Sequence, residues 1–135
     1  MGVLEHIRQS RRKETAEDFT PLELVNEMLS KLPASVWAPD KTFCDPAAGN
    51  GNFLIEVLQR KLDAQHDPLE ALRTIYAVEL MADNVIEMKE RLVSLLPASL
   101  HAEAMKIMEK NIVCADALTF DFENWKKPAT SKKLF

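Results

Sequence analysis

Three carboxylates and one glycine-containing turn are the residues of this sequence best placed to do chemistry. Asp45 closes a short run, Thr42-Phe43-Cys44, and is followed by Pro46-Ala47-Ala48-Gly49-Asn50-Gly51-Asn52-Phe53. Glu79 closes a second run, Thr74-Ile75-Tyr76-Ala77-Val78, and Asp116 stands just past a third, Asn111-Ile112-Val113-Cys114. A small-residue turn between a strand and a helix lets N–H groups at the helix N-terminus meet a polar ligand lying over the strand end. An acid at the end of the second strand can accept hydrogen bonds from both hydroxyls of a ribose, which points to a nucleoside. Gly49-Asn50-Gly51 lacks the third glycine of the pyrophosphate fingerprint, and no Lys follows to complete a phosphate loop. Asp45 also sets a carboxylate where a pyrophosphate would be repelled. A ligand with a ribose and a cationic group therefore fits better than a dinucleotide, and Asp116 is placed to accept a hydrogen bond from an exocyclic amine of its base.

These residues need a scaffold that brings strand ends to one edge. The three short runs predict strands over 42–44, 74–78 and 111–114. Phe53, Leu54, Ile55, Val57 and Leu58 recur as the buried face of a helix over 51–62, and Pro68 opens a short helical turn. Asp83 or Asn84 is expected to cap a helix with Val85, Ile86, Leu92, Val93 and Leu96 on one side, ended by Pro97, and a further helix is expected over 98–110. Upstream, Leu22, Val25, Met28, Leu29 and Leu32 predict a helix ended by Pro33. There Thr20 is expected at the cap, Pro21 at the first helical position and Glu23 as the partner in a capping box. Strand and helix in alternation predict an α/β fold with a parallel sheet and helices on its faces. The segment holding Phe120, Phe122 and Trp125 carries no clear period.

Composition limits what the chain can be. With 135 residues, 47% apolar and 28% charged, it is expected to form a single domain spanning 1–135. Residues 1–18 are read as an N-terminal helical extension and 126–135 as a loose tail. A net charge of -4 excludes nucleic-acid binding by bulk charge. The basic clusters at Arg8, Arg11, Arg12 and Lys13 and at Lys126, Lys127, Lys132 and Lys133 are read as solvated faces. Cys44 and Cys114 are expected as buried reduced thiols of a cytoplasmic protein. His6, His66 and His101 have no ligand-like spacing, so no metal is expected, and no apolar stretch approaches the roughly 18 residues of a membrane span.

Asp45-Pro46-Ala47-Ala48-Gly49-Asn50-Gly51-Asn52-Phe53 resembles the S-adenosylmethionine-binding motif of DNA adenine-N6 methyltransferases, Asp-Pro-Ala-x-Gly-x-Gly-x-Phe. Phe19-Thr20-Pro21 is similar to the motif that precedes it in those enzymes and helps to hold the methionine moiety. The resemblance covers most of residues 14–122. It implies a Rossmann-like methyltransferase fold in which the cofactor, S-adenosyl-L-methionine, meets Phe19, Thr20, Pro21, Asp45, Pro46, Ala47, Gly49, Gly51 and Phe53. By the same matching Glu79 falls on the residue that binds the ribose, and Asp116 and Ala117 fall on the segment that hydrogen-bonds the adenine. The motif order is similar to the subgroup in which cofactor binding comes first, the catalytic segment second and the DNA-recognition domain last.

The family's catalytic tetrapeptide, Asp/Asn-Pro-Pro-Tyr/Phe, is absent from the sequence. In the family its acid or amide and a Pro carbonyl accept the hydrogens of the adenine amine, and its aromatic residue stacks on the base flipped out of the duplex. The resemblance therefore implies the cofactor-binding portion of a methyltransferase of a restriction-modification or phage type, in a bacterial or phage-infected cytoplasm, truncated before the segment that reaches DNA. In the family's sheet the fourth strand pairs with the first, and Lys132-Lys133-Leu134-Phe135 looks like its beginning. An incomplete sheet of about three strands is thus expected, with an open edge that invites self-association. Contact with DNA is expected only through the missing part or a partner chain. A non-catalytic cofactor-binding or assembly module is the alternative, and a nicotinamide-dependent enzyme ranks below both. The purified chain alone is predicted to be inactive: labelled methyl should not pass from S-adenosylmethionine to DNA, and measurable incorporation would show that the tetrapeptide is dispensable.

Overall fold

The computed structural model describes residues 19–128. The expected N-terminal extension, and the part of the expected tail that includes Lys132 to Phe135, lie outside the described residues. Among them, α1 (Leu22–Ser30) and a 3-10 turn (Ala34–Trp37) lead into strand β1 (Phe43–Asp45). Helices α2 (Asn52–Asp63) and α3 (Pro68–Arg73) then precede β2 (Ile75–Glu79). Next come α4 (Ala82–Ser94), a second 3-10 turn (Ala98–Leu100), α5 (His101–Asn111) and β3 (Ile112–Cys114). The architecture is α/β: a three-stranded parallel sheet in the order β1-β2-β3, flanked by helices, as a Rossmann-like fragment would be. Parallel neighbours cannot be joined by a hairpin, so each connection crosses over through helices.

Register carries the acids to one edge. Phe43 stands opposite Ile75, Asp45 opposite Ala77, Ala77 opposite Ile112 and Glu79 opposite Cys114. The two-residue period of a strand then sends Ile75, Ala77 and Ile112 to one face. They are buried there in a core with Val57, Leu58, Leu72, Met88, Leu92 and Met108. Cys44 and Tyr76 point to the opposite face. Trp125 meets Tyr76 edge-on with ring centroids 5.0 Å apart, and Phe120 meets Trp125 at 4.8 Å. The unassigned aromatic segment is therefore a cover for the second face. It is closed by an antiparallel bridge between Asp121 and Lys126 and by the Trp125 indole N–H, which donates to the Lys110 carbonyl at 2.7 Å. Among the described residues no helix is long and apolar enough to cross a membrane.

Local expectations fail in four places, each for a physical reason. Cys44 is exposed rather than buried, because among the described residues β1 is paired on one side only; Cys114 is half-buried. Thr20 does not cap α1, since Pro21 with ψ 145° takes the cap position and no side chain caps the helix. At α4 the cap position is Met81, not Asp83 or Asn84. Ile86 is 59% exposed, and the buried row runs instead through Val85, Met88 and Leu92, spaced by three and four residues.

At the end of the sheet away from the acids, one ion ties the framework. Lys61, in the last turn of α2, has no exposed surface. Its Nζ donates to the Lys41 carbonyl and to Thr74 Oγ1, both at 2.8 Å, and sits 5.4 Å from the Phe43 ring centroid. It thus joins α2 to the chain just before β1 and just before β2. Burial lowers its pKa, opposed by Asp40. Between that lowered value and the ordinary value of about 10.4 the unfolded chain binds a proton that the folded protein has released, so stability rises with pH. Urea unfolding of wild type and Lys61→Met is predicted to show the wild type gaining on the variant as pH rises from neutral towards that limit. A difference that stays constant or shrinks would contradict it.

Candidate functional site

The site grows from the way β1 ends. Asp45 Oδ1 accepts the Ala47 N–H at 3.1 Å, an Asx turn that reverses the chain. The Ala48 N–H then donates to the Val78 carbonyl at 3.2 Å, which lays the turn across the end of β2. Gly49 and Gly51 have φ of 57° and 92°, in the left-handed region that favours glycine. Contact restricts them too: a Cβ on Gly51 would lie 2.6 Å from Met88 Cγ, and one on Gly49 would lie 3.0 Å from the Phe19 ring.

Glu79 gathers these pieces. Its side chain is buried, with 8% exposure. Oε1 accepts the Gly49 N–H at 2.8 Å, while Oε2 accepts the Met81 N–H at 3.0 Å and Asn84 Nδ2 at 3.1 Å. Such donors offset the cost of burying a carboxylate. Asn84 is fully buried, and its amide serves Glu79 rather than the start of α4. From the other side Asn52 Nδ2 donates to the Thr20 carbonyl at 2.7 Å. Phe19, Thr20, Asp45, Ala47, Gly49 and Phe53 thereby line one cleft of about 50 Å³, with Ala48, Asn50 and Asn52.

The remaining expected site residues lie around it. Pro46 is exposed on the turn and Pro21 is exposed at the head of α1. Gly51 is buried under α4, where it shapes the turn without lining the cleft. Asp116 is exposed two residues beyond β3. Its Oδ1 accepts the Leu118 N–H at 2.9 Å in an Asx turn of its own, and Ala117 beside it is half-buried. Among the described residues no hydrogen bond joins Asp116 or Ala117 to Asp45 or Glu79. The structure therefore brings the Phe19-Thr20 segment, the turn and Glu79 together, and leaves Asp116 on the same strand edge as a separate acceptor.

Burial dominates the electrostatics of the groups at the end of β1. Burial raises the Asp45 pKa and the nearby Glu79 carboxylate raises it further, while the Ala47 N–H lowers it. Partial burial and then Asp45 push up the neighbouring Cys44 thiol, which keeps it protonated and a poor nucleophile. Among the described residues no three His, Cys, Asp or Glu side chains cluster to hold a metal ion. What the geometry offers is binding: acceptors for hydroxyls, a carboxylate that a cation would relieve, and oriented backbone groups.

Sequence reasoning missed four residues that build this cleft, namely Asn84, Glu87, Arg91 and Asn52. Arg91 Nη1 donates to the Asn50 carbonyl at 3.0 Å and to Asn52 Oδ1 at 2.7 Å, and Asn50 Nδ2 donates to Glu87 Oε2 at 3.2 Å. Positions 84, 87, 88 and 91 share one helix face at spacings of three and four. A polar row beside the buried Met88 was the available signal.

No protein-family profile matches the chain. Over 56 residues it is 36% identical to a Type II methyltransferase, M.VspI, of Vibrio sp. (strain 343), a stretch that takes in 42% of this chain and 13% of that protein. The likeness to a methyltransferase is thus local, and the chain spans a small part of the length of the protein it resembles.

The two glycines are predicted to differ. Gly51→Ala combines a strained φ with a clash against Met88 and should cost about 2 kcal/mol or more in urea unfolding. Gly49→Ala should cost about 1 kcal/mol, because a ring edge can give way. Equal, small losses at both positions would contradict the close approach of the turn to α4.

Proposed function

We propose that this chain is the S-adenosylmethionine-binding portion of a DNA adenine-N6 methyltransferase of a restriction-modification or phage type. The observation that carries the reading is the hydrogen bond from the Gly49 N–H to Glu79, which ties the turn that lines the cleft to the acid at the end of β2. The local likeness to a Type II methyltransferase supports the same class.

The donor and acceptor chemistry fits that cofactor. A carboxylate offers about four lone-pair positions, and the three donors on Glu79 leave room for a ribose hydroxyl. Asp45, whose pKa is raised, is relieved when a sulfonium or ammonium cation docks beside it. Phe19, Thr20 and Phe53 border the space for the methionine part, with Pro21 holding the entry to α1. Pro46, Ala47, Gly49 and Gly51 shape the turn, and Asp116 with Ala117 offers the acceptor for the adenine amine. The bound cofactor would supply a methyl group activated on sulfur, while these residues hold and orient it. No Asp/Asn-Pro-Pro-Tyr/Phe sequence is present, so transfer to DNA depends on a further segment or a partner chain. On this reading the setting is the cytoplasm of a bacterial or phage-infected cell.

A second reading, a cofactor-binding module that assembles with another chain, draws on the sheet edge. Among the described residues β1 pairs only with β2, and an apolar groove lined by Thr42, Cys44, Tyr76, Phe122 and Trp125 runs beside it. Self-association through that edge belongs to this reading.

Titration calorimetry with S-adenosylmethionine and its demethylated product tests both. Glu79→Ala should weaken binding at least tenfold, about 1.4 kcal/mol, with the fold verified by circular dichroism. Affinity should rise with pH through the Asp45 titration, because the cation prefers the ionised carboxyl, and Asp45→Asn should remove that dependence. No heat with either ligand on folded protein would overturn the cofactor reading.

A further inference from the structure

Helix α4 carries a guanidinium that the proposed cofactor contacts leave unused. Arg91 Nη1 reaches Asn52 Oδ1 at 2.7 Å and the Asn50 carbonyl at 3.0 Å. The other end of the Asn52 amide, Nδ2, donates to the Thr20 carbonyl at 2.7 Å. A guanidinium has only donors, so it forces the amide oxygen towards α4 and therefore the amide nitrogen towards Thr20. Arg91 lies at the N-terminus of α2, where a cation is disfavoured by the helix dipole, and two oxygen acceptors hold it there. One residue before Thr20, the Phe19 ring packs against Gly49.

We infer that Arg91 is a positioning residue for the cleft: acting through Asn52, it fixes the spacing between the Phe19-Thr20 segment and the glycine turn without touching ligand. As a role in cofactor binding it rests on the reading given above, and the relay itself is a property of the protein alone. Lysine is a partial substitute: both acceptors bind the one nitrogen Nη1, which an ammonium can replace as a donor but without the planar group that fixes where its hydrogens point. Asn52→Asp is the discriminating variant. It keeps the oxygen that Arg91 binds but turns a second oxygen against the Thr20 carbonyl, so it breaks only the far link.

The test uses the full chain with Arg91→Met, Arg91→Lys and Asn52→Asp, each shown to unfold cooperatively. Without ligand, the NMR resonances of the Phe19 ring protons should move in all three variants, including Asn52→Asp, in which the Arg91 contacts persist. By calorimetry with S-adenosylmethionine, Arg91→Met and Asn52→Asp should each weaken binding about fivefold or more, with Arg91→Lys intermediate. The double variant combining Arg91→Met with Asn52→Asp should be no weaker than Asn52→Asp alone, because both act on one relay. Unmoved Phe19 resonances in Asn52→Asp, or losses that simply add in the double variant, would overturn the inference. If Arg91→Met fails to fold, Asn52→Asp decides. If the wild type takes up no cofactor, the cofactor reading fails by itself, and the Phe19 resonances of Asn52→Asp still decide whether the relay exists.

Discussion

A buried carboxylate is costly unless its oxygens are hydrogen-bonded, and Glu79 meets that condition by drawing on three separate pieces of chain. The Gly49 N–H comes from the turn after β1, the Met81 N–H from the exit of β2 and the amide of Asn84 from α4. Satisfying one side chain therefore fixes how the turn, the strand and the helix meet. Gly49 and Gly51 follow from the same constraint, since the turn can reach Glu79 only by passing close to Phe19 and Met88 with positive φ.

The two ends of the sheet are held in different ways. At the acid edge the ties are short polar links between loops and helix starts, through Glu79, Asn52 and Arg91. At the far end Lys61 joins α2 to Lys41 and Thr74, and Asn111 Nδ2 joins the end of α5 to the Arg73 carbonyl at 3.1 Å. Between them lies an apolar core, with buried Lys61 at one margin and buried Glu79 at the other. Such a division leaves the acid edge polar and partly open, which suits a ligand with hydroxyls and a cationic group, and makes the far end the anchor.

Much of this was legible in the sequence because short apolar runs ending in an acid leave few structural options. The strands fall within one residue of their expected positions, and Pro68 does begin a helix, with Asp67 as its side-chain cap. Phe19 and Thr20 prove to border the same cleft as Asp45 and Gly49. What was not legible is where polar side chains on helices reach. Period and propensity show which face is buried, but not that Asn84 turns back to Glu79, that Arg91 crosses to Asn52, or that the long stem of Lys61 carries its ammonium into the framework. The cap at α4 follows from the same limit, since an Asn with a buried acid nearby has a better partner than an orphan N–H, whereas at α1 Pro21 itself takes the cap position. The exposure of Cys44 depended on strand order, which no local pattern encodes.

The central claim is that the edge built around Glu79 is the place where the cofactor binds. An amide chemical-shift map of the isotope-labelled chain during titration with S-adenosylmethionine addresses it most directly. The account predicts saturable shifts centred on residues 19–20, 45–53, 79–81 and 116–117, with the Gly49 amide among the largest because it already donates to Glu79. Shifts confined to the opposite end of the sheet, around Arg73, Lys106 and Lys110, or no saturable shifts on folded protein, would contradict it.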